Sequence, residues 1–275
     1  MKVFLSFLVI TFMLLGHSQS NSNKKNDVKI MYQFDYKKHS NSEKLVSENT
    51  TLIIDNNKSS IFTYQKMINL DSIQRVRELD ITDVMSNRLS VYSFIAYSND
   101  SITHYETIGN DLLKFKEPIS SNWKLINEKK QISGYNCKKA IINYAGREWV
   151  AWFTSEIALN SGPYKFHGLP GLIIELYDTE NIFSFKAYAI KYGDFEINNN
   201  TLNYFITEDG DKFQELDRKD FLSIRNKYYQ MSLNQKLKYM NRNEEGNHEL
   251  IVSSIDGGSI NTNRKPKIRN FIERN

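Results

Sequence analysis

The chain has 275 residues, 40% hydrophobic and 25% charged, the balance of a globular protein rather than a disordered one. Its formal charge is +4, with basic and acidic residues interleaved, which argues against a nucleic-acid partner. One cysteine, Cys137, excludes an internal disulfide, and its neighbours leave an inert buried thiol and a reactive one both open.

In chain order, Lys2, the apolar residues 3–15 and the small residues around Gly16-His17-Ser18 predict a secretory signal over 1–18. Cleavage is expected after Ser18, with cleavage after Ser20 as the alternative. The apolar run is short for about 30 Å of hydrocarbon, and no later run approaches ~20 apolar residues, so no membrane span is expected after cleavage. Residues 19–26 read as a flexible polar leader. From there Val28, Ile30, Tyr32 and Phe34 alternate with polar residues, the period of a half-buried strand. Residues 42–54 and 61–68 continue the pattern around the turn signal Asp55-Asn56-Asn57, suggesting a meander. Asp71 and Gln74 resemble a capping box and predict a short helix within 71–88.

Strands are expected again at 91–97, 103–108, 123–129, 135–144 and 148–154. Ser133-Gly134 and Ala145-Gly146 punctuate the last three. Strands at 172–177 and 183–192 follow, separated by Asp178-Thr179-Glu180-Asn181. Asp217 is a good N-cap for a helix to about residue 229, with Phe221, Ile224, Tyr228 and Met231 at helical spacing. Residues 233–275 read as a loosely ordered or disordered tail. The expected fold is mainly β (α+β): one domain over 27–232, a single antiparallel, strongly curved sheet or half-barrel with one or two packed helices.

The densest local signal is Gly162-Pro163-Tyr164-Lys165-Phe166-His167 followed by Gly168-Leu169-Pro170-Gly171-Leu172-Ile173. Pro170 fixes φ and Gly171 supplies a positive φ, which fits a type II turn. Leu172 and Ile173 then open a strand apolar on both faces, as a covered central strand requires. Phe166 is expected to pack over the turn, with Gly168 permitting close approach. With the run onward through Ile174-Glu175-Leu176, these fifteen residues closely resemble the motif that names the GLPGLI family. Trp123, the segment 132–140 and the aromatic strand 149–153 resemble the same family in the same order, so the resemblance spans roughly 120–190. It implies an exported protein of Bacteroidetes-type bacteria with no assigned activity, and it transfers no catalytic residue.

No Cys-x-x-Cys, His-Glu-x-x-His, Gly-x-Ser-x-Gly or Gly-rich phosphate loop occurs, so no catalytic residue, metal site or cofactor is assigned. His39, His104, His167 and His248 are scattered. On the strand 149–153, Trp149 and Phe153 share one face and Trp152 the other. They either fill the core or line an apolar groove. Glu175 is the one carboxylate in an apolar strand, either salt-bridged or exposed, or buried against a partner. The candidate ligand-binding residues are therefore Trp149, Trp152, Phe153, Phe166, His167 and Glu175, with residues 168–173 as the structural motif.

The leading reading is a non-enzymatic periplasmic or cell-envelope protein whose curved sheet binds an apolar small molecule, lipid or peptide. By analogy of fold alone, it looks like the half-barrel of periplasmic lipoprotein carriers. The alternatives are an envelope protein–protein interaction module and a hydrolase with an unrecognised site near His167 and Glu175.

Overall fold

The computed structural model describes residues 27–39, 42–55, 60–64, 93–97, 101–119, 122–193, 195, 213–240 and 271–273. The expected signal, leader and 71–88 helix lie outside these residues. Six strands come first: β1 (Asp27–Lys37), β2 (Leu45–Ile54), β3 (Ser60–Tyr64), β4 (Ser93–Tyr97), β5 (Ser101–Ile108) and β6 (Asp111–Pro118). Five more follow: β7 (Lys124–Ile132), β8 (Tyr135–Tyr144), β9 (Arg147–Thr154), β10 (Leu172–Asp178) and β11 (Phe183–Gly193). A two-residue strand, β12 (Gln214–Glu215), precedes the helices α1 (Arg218–Gln230) and α2 (Leu233–Met240).

All twelve strands belong to one sheet, in the order β12-β6-β5-β4-β3-β2-β1-β11-β10-β9-β8-β7. The chain lays down one meander from β1 outward to β6. It then crosses to the opposite edge and returns from β7 to β11. The two meanders join where β1 pairs with β11, from Asp27 opposite Gly193 to Tyr36 opposite Phe183. The sheet is open, because its end strands β12 and β7 do not pair with each other.

The expectation of a purely antiparallel sheet is corrected at one edge, where β12 runs parallel to β6. A polar two-residue strand has no hydrophobic period to announce it. Strand β6 was also unexpected, although Leu113 and Phe115 alternate with Lys114 and Lys116 at strand period. Two pieces of the stretch expected to be a loose tail lie among the described residues. Residues 233–240 form α2, whose Tyr239 hydroxyl donates to Asp111 at 2.5 Å. Residues 271–273 dock into the body of the protein.

Local chemistry explains the elements. Ser133-Gly134 and Ala145-Gly146 all have positive φ (49°, 88°, 53° and 77°), the conformation of two-residue hairpin turns that match strand twist. Asp178 ends β10 and accepts the Ile182 and Phe183 amides at 2.8 and 2.9 Å, fixing the turn into β11. Asp217 caps α1 by accepting the Asp220 amide at 2.8 Å. The buried face of α1 is Phe221, Leu222, Arg225 and Tyr229, with Ile224 and Tyr228 only partly buried. Relative to the expected stripe it is rotated toward a buried arginine.

The Leu169-Pro170-Gly171 corner differs from a type II turn. The Gly171 amide bonds to the Leu169 carbonyl at 2.8 Å, a three-residue turn closed around Pro170. The Leu172 amide goes instead to the Ile157 carbonyl at 3.2 Å, because the loop after β9 claims the start of β10. Gly171 has φ +143°, and a Cβ there would strike the Thr154 carbonyl of β9. Gly171→Ala is therefore expected to destabilise the protein by roughly 3 kcal/mol, read from denaturant unfolding. A loss under about 1 kcal/mol would show that the corner relaxes freely.

Candidate functional site

The loop between β9 and β10 sends four consecutive side chains to different places. Tyr164 sits at φ +54°, inside a turn closed by the Phe166 amide on the Pro163 carbonyl at 3.1 Å. Phe166 is the hub of an aromatic cluster, with ring centroids 4.7 Å from Trp149, 5.3 Å from Tyr144 and 6.1 Å from Trp123. His167 is half-buried and its ring meets Tyr97 edge-on at 5.8 Å. Its Nδ1 is 2.8 Å from the Lys165 carbonyl, and the Trp123 indole donates to the His167 carbonyl at 2.8 Å. Burial pushes the His167 pKa down, so the ring is neutral at physiological pH.

The other candidates divide between two surroundings. Trp149, Trp152 and Phe153 are 0%, 6% and 1% exposed, covered by the protein's own side chains rather than open to a groove. Trp149 stacks toward Phe183 at 6.3 Å and donates to the Tyr144 carbonyl at 3.2 Å. Trp152 lies under two ammonium groups, with Lys130 at 4.3 Å and Lys139 at 5.9 Å from the ring centroid. Glu175 is half-buried and pairs with that same Lys130 at 2.6 Å. The structure thus joins Trp149 to Phe166, and Trp152 to Glu175 through Lys130. His167 and Glu175 share no partner among the described residues. A bulge in β10 between Ile173 and Glu175 resets the alternation of faces there. Cys137 is buried, and burial pushes its thiol up to about 11, the state of an unreactive cysteine.

The densest chemistry surrounds Lys165, which is 3% exposed. Its ammonium lies 2.6 Å from Glu117 of β6 and 2.5 Å from Glu273, and 4.2 Å above the Phe115 ring. Glu273, 1% exposed, also accepts the Tyr164 hydroxyl at 2.6 Å and an Arg218 N–H at 2.9 Å. His104 Nδ1 stands 4.0 Å from the same carboxylate, while its Nε2 is 3.4 Å from Glu106, two residues along β5. Phe115 stacks on His104 at 5.1 Å, and Phe221 of α1 closes the other side at 5.4 Å.

The residues before Glu273 are gripped as firmly. The Phe271 ring lies 4.3 Å from the Arg225 guanidinium and 5.2 Å from the Tyr229 ring. Arg147 donates to the Phe271 carbonyl at 3.3 Å, and Arg225 to the Glu273 carbonyl at 3.0 Å. Arg147 is itself buried against Asp178 at 2.8 Å. Ile272 packs against the main core and, with Phe34, Phe62, Ile95, Tyr164 and Phe185, lines a small apolar cavity of about 20 Å³. The arrangement is a cleft between the sheet and α1 that holds residues 271–273 by ring, aliphatic side chain, carbonyls and carboxylate.

Electrostatics fix the charge states. Burial works to raise the Glu273 pKa, but Lys165 and His104, with hydrogen bonds from Lys165 and Tyr164, hold it well below the usual carboxylate range. Burial and then Lys165 lower the His104 pKa against the opposing pull of Glu106 and Glu273. Burial and then Glu273 keep the Tyr164 hydroxyl protonated.

Sequence reasoning passed over this cleft. A lysine inside an otherwise apolar motif was a signal, since a charge there must be paired. Arg225, four residues after Phe221 on the buried stripe of α1, was another. Nothing local marked Glu273, because its partners are distant in the chain.

A family model described as "Protein of unknown function (Porph_ging)" matches residues 143–175, which run from the end of β8 through the motif to Glu175. No curated protein matches the chain. Two crystal forms of PNGF-II are similar in structure, each at TM-score 0.52 and 16% identity over 76% of this chain. The chain covers only 34% and 35% of those proteins, so the likeness concerns the fold of about a third of them. A LolA superfamily protein from Nitrosomonas europaea matches at TM-score 0.29 and 7% identity, over 67% of this chain and 91% of that one.

Two predictions test the cleft. Lys165→Met leaves the buried Glu273 and the half-buried Glu117 with only Arg218 to share and is expected to destabilise the protein by roughly 3 kcal/mol. Glu273→Gln should cost less, because Lys165 keeps Glu117. Equal losses in urea unfolding would contradict this order. Acid should also loosen the cleft in two steps. The folded pKa values of His104 and Glu273 both lie below their ordinary values of 6.5 and 4.5. Each therefore contributes stability that is complete above its ordinary value and lost as pH falls below it. Thermal melts from pH 8 to pH 3 should show the upper step vanish in His104→Gln and the lower step in Glu273→Gln. Profiles unchanged by either substitution would refute the assignment.

Proposed function

We propose that this chain is an exported, GLPGLI-type binding protein of the bacterial periplasm or envelope. Its cleft between β5, β6, the Tyr164-Lys165 turn and α1 holds an extended ligand with apolar and acidic groups. The observation that carries the proposal is the fit of residues 271–273, in which one ring, one aliphatic side chain, two carbonyls and one carboxylate each meet a dedicated partner. Export is supported by the signal-like residues 1–18. The family reading is supported by the matched stretch 143–175, which takes in the whole motif as far as Glu175.

Binding is favoured over hydrolysis by the state of the charged groups. Lys165, Glu117 and Glu273 are locked in mutual pairs, and His167 and Glu175 have separate partners. No helix among the described residues is long and apolar enough to cross a membrane.

The test is a titration of the purified chain with two dansylated probes, an undecanoic acid and an apolar peptide containing glutamate. At least one probe should bind saturably, and Lys165→Met should weaken that binding tenfold or more. Absence of saturable binding by either probe, in the wild type and in Glu273→Gln alike, would sink the proposal.

A further inference from the structure

We infer that Phe271-Ile272-Glu273 is a built-in competitor for the cleft. The external ligand it gives way to is a peptide segment of another protein carrying an aromatic, an aliphatic and an acidic residue in that order. The inference rests on the binding role proposed above and adds the ligand's class and its regulation.

Charge balance is the first support. At the segment's carboxylate, Lys165 and Arg218 each pair with both Glu117 and Glu273. Without Glu273, those two cations would share the single carboxylate of Glu117, and Lys165 is buried, where an unmatched charge is costly. The cleft therefore requires an anion whenever this segment is out. Lys165 and Arg218 already converge on the two oxygens of the Glu273 carboxylate, at 2.5 and 2.9 Å.

Backbone recognition decides between an acidic peptide and a fatty acid. Arg147 reaches the Phe271 carbonyl and Arg225 the Glu273 carbonyl, at 3.3 and 3.0 Å. A fatty acid has no amide carbonyls, so the Arg225 N–H and the Arg147 N–H that Asp178 and Glu180 do not take would lose the acceptors they have here. Side chains contacting backbone carbonyls are how a groove takes a peptide whose flanking sequence is not fixed. The aromatic position is set by Arg225 and Tyr229, and the aliphatic one by the apolar pocket around Phe62.

A tethered segment competes at an effective concentration of the order of mM. A free peptide binding the open cleft at about 10 μM would therefore be held back roughly a hundredfold in the wild type.

The experiment uses the full chain and a fluorescein-labelled synthetic copy of residues 267–275, read by anisotropy. The double variant Ile272→Ser/Glu273→Ala should bind the peptide 10- to 100-fold more tightly than the wild type. Adding Lys165→Met should reverse the gain, and a peptide with glutamine in place of its glutamate should bind at least tenfold more weakly. Glu273→Gln, which keeps the size of the side chain, should give a smaller gain of about threefold to tenfold and serves if the double variant fails to melt cooperatively. Equal peptide binding by wild type and variants would overturn self-competition while leaving the binding role standing. Binding of dansyl-undecanoic acid but not of the peptide by the opened variants would overturn the peptide class alone. A wild-type dimer in light scattering that the double variant loses would overturn the external partner, because the occupant would then be a second copy of this chain.

Discussion

The cleft is organised by one buried ammonium. Lys165 stands between Glu117 of the sheet and Glu273 of the last described segment, with Phe115 beneath it. With the segment docked, such a cation is shut off from water and is costly to leave unmatched. Its position is in turn set by the left-handed Tyr164 and the turn closed on Pro163. The Gly162–Ile173 motif thus has a chemical output besides its structural one. It carries an aromatic hub, Phe166, to one side and an ammonium to the other.

Buried ion pairs are weak evidence for stability, because desolvation offsets much of their attraction. They are better suited to selection. In the cleft lined by Lys165, Arg218 and Arg225, the group at the point of convergence is the Glu273 carboxylate, and a cation left without a counter-charge there would raise the cost of closing the site. Arg225 also stacks on Phe271 and bonds to the Glu273 carbonyl, so a single guanidinium couples the aromatic position to the acidic one. This coupling is why a buried arginine sits in the middle of the apolar stripe of α1.

Much of the sheet could be read from hydrophobic alternation. The hairpins at Ser133-Gly134 and Ala145-Gly146 and the Asp217 cap lie where turn and capping chemistry put them. These features depend on residues within a few positions of each other. The parallel pairing of β12 with β6 and the docking of residues 271–273 were not legible, because each depends on partners brought near by the whole topology. The turn at Pro170 illustrates the limit. Pro-Gly chemistry gave the corner, but competition from the Ile157 carbonyl selected the three-residue form over the four-residue one. For the site, Lys165 and Arg225 were visible as charges in apolar settings, whereas their carboxylate could only be found in three dimensions.

The junction of the two meanders bears on the order of assembly. Strand β1 finds its second neighbour only when β11 exists, since Asp27 lies opposite Gly193. Pairings that close so long a loop are slow to form, and a waiting strand edge is a site for wrong partners. A chain that emerges from its N-terminus first holds β1 half-paired against β2 until β7 to β11 have been made. The arrival of β11 is then the step that converts two separable sheets into one, and it fixes how long the growing chain needs protection.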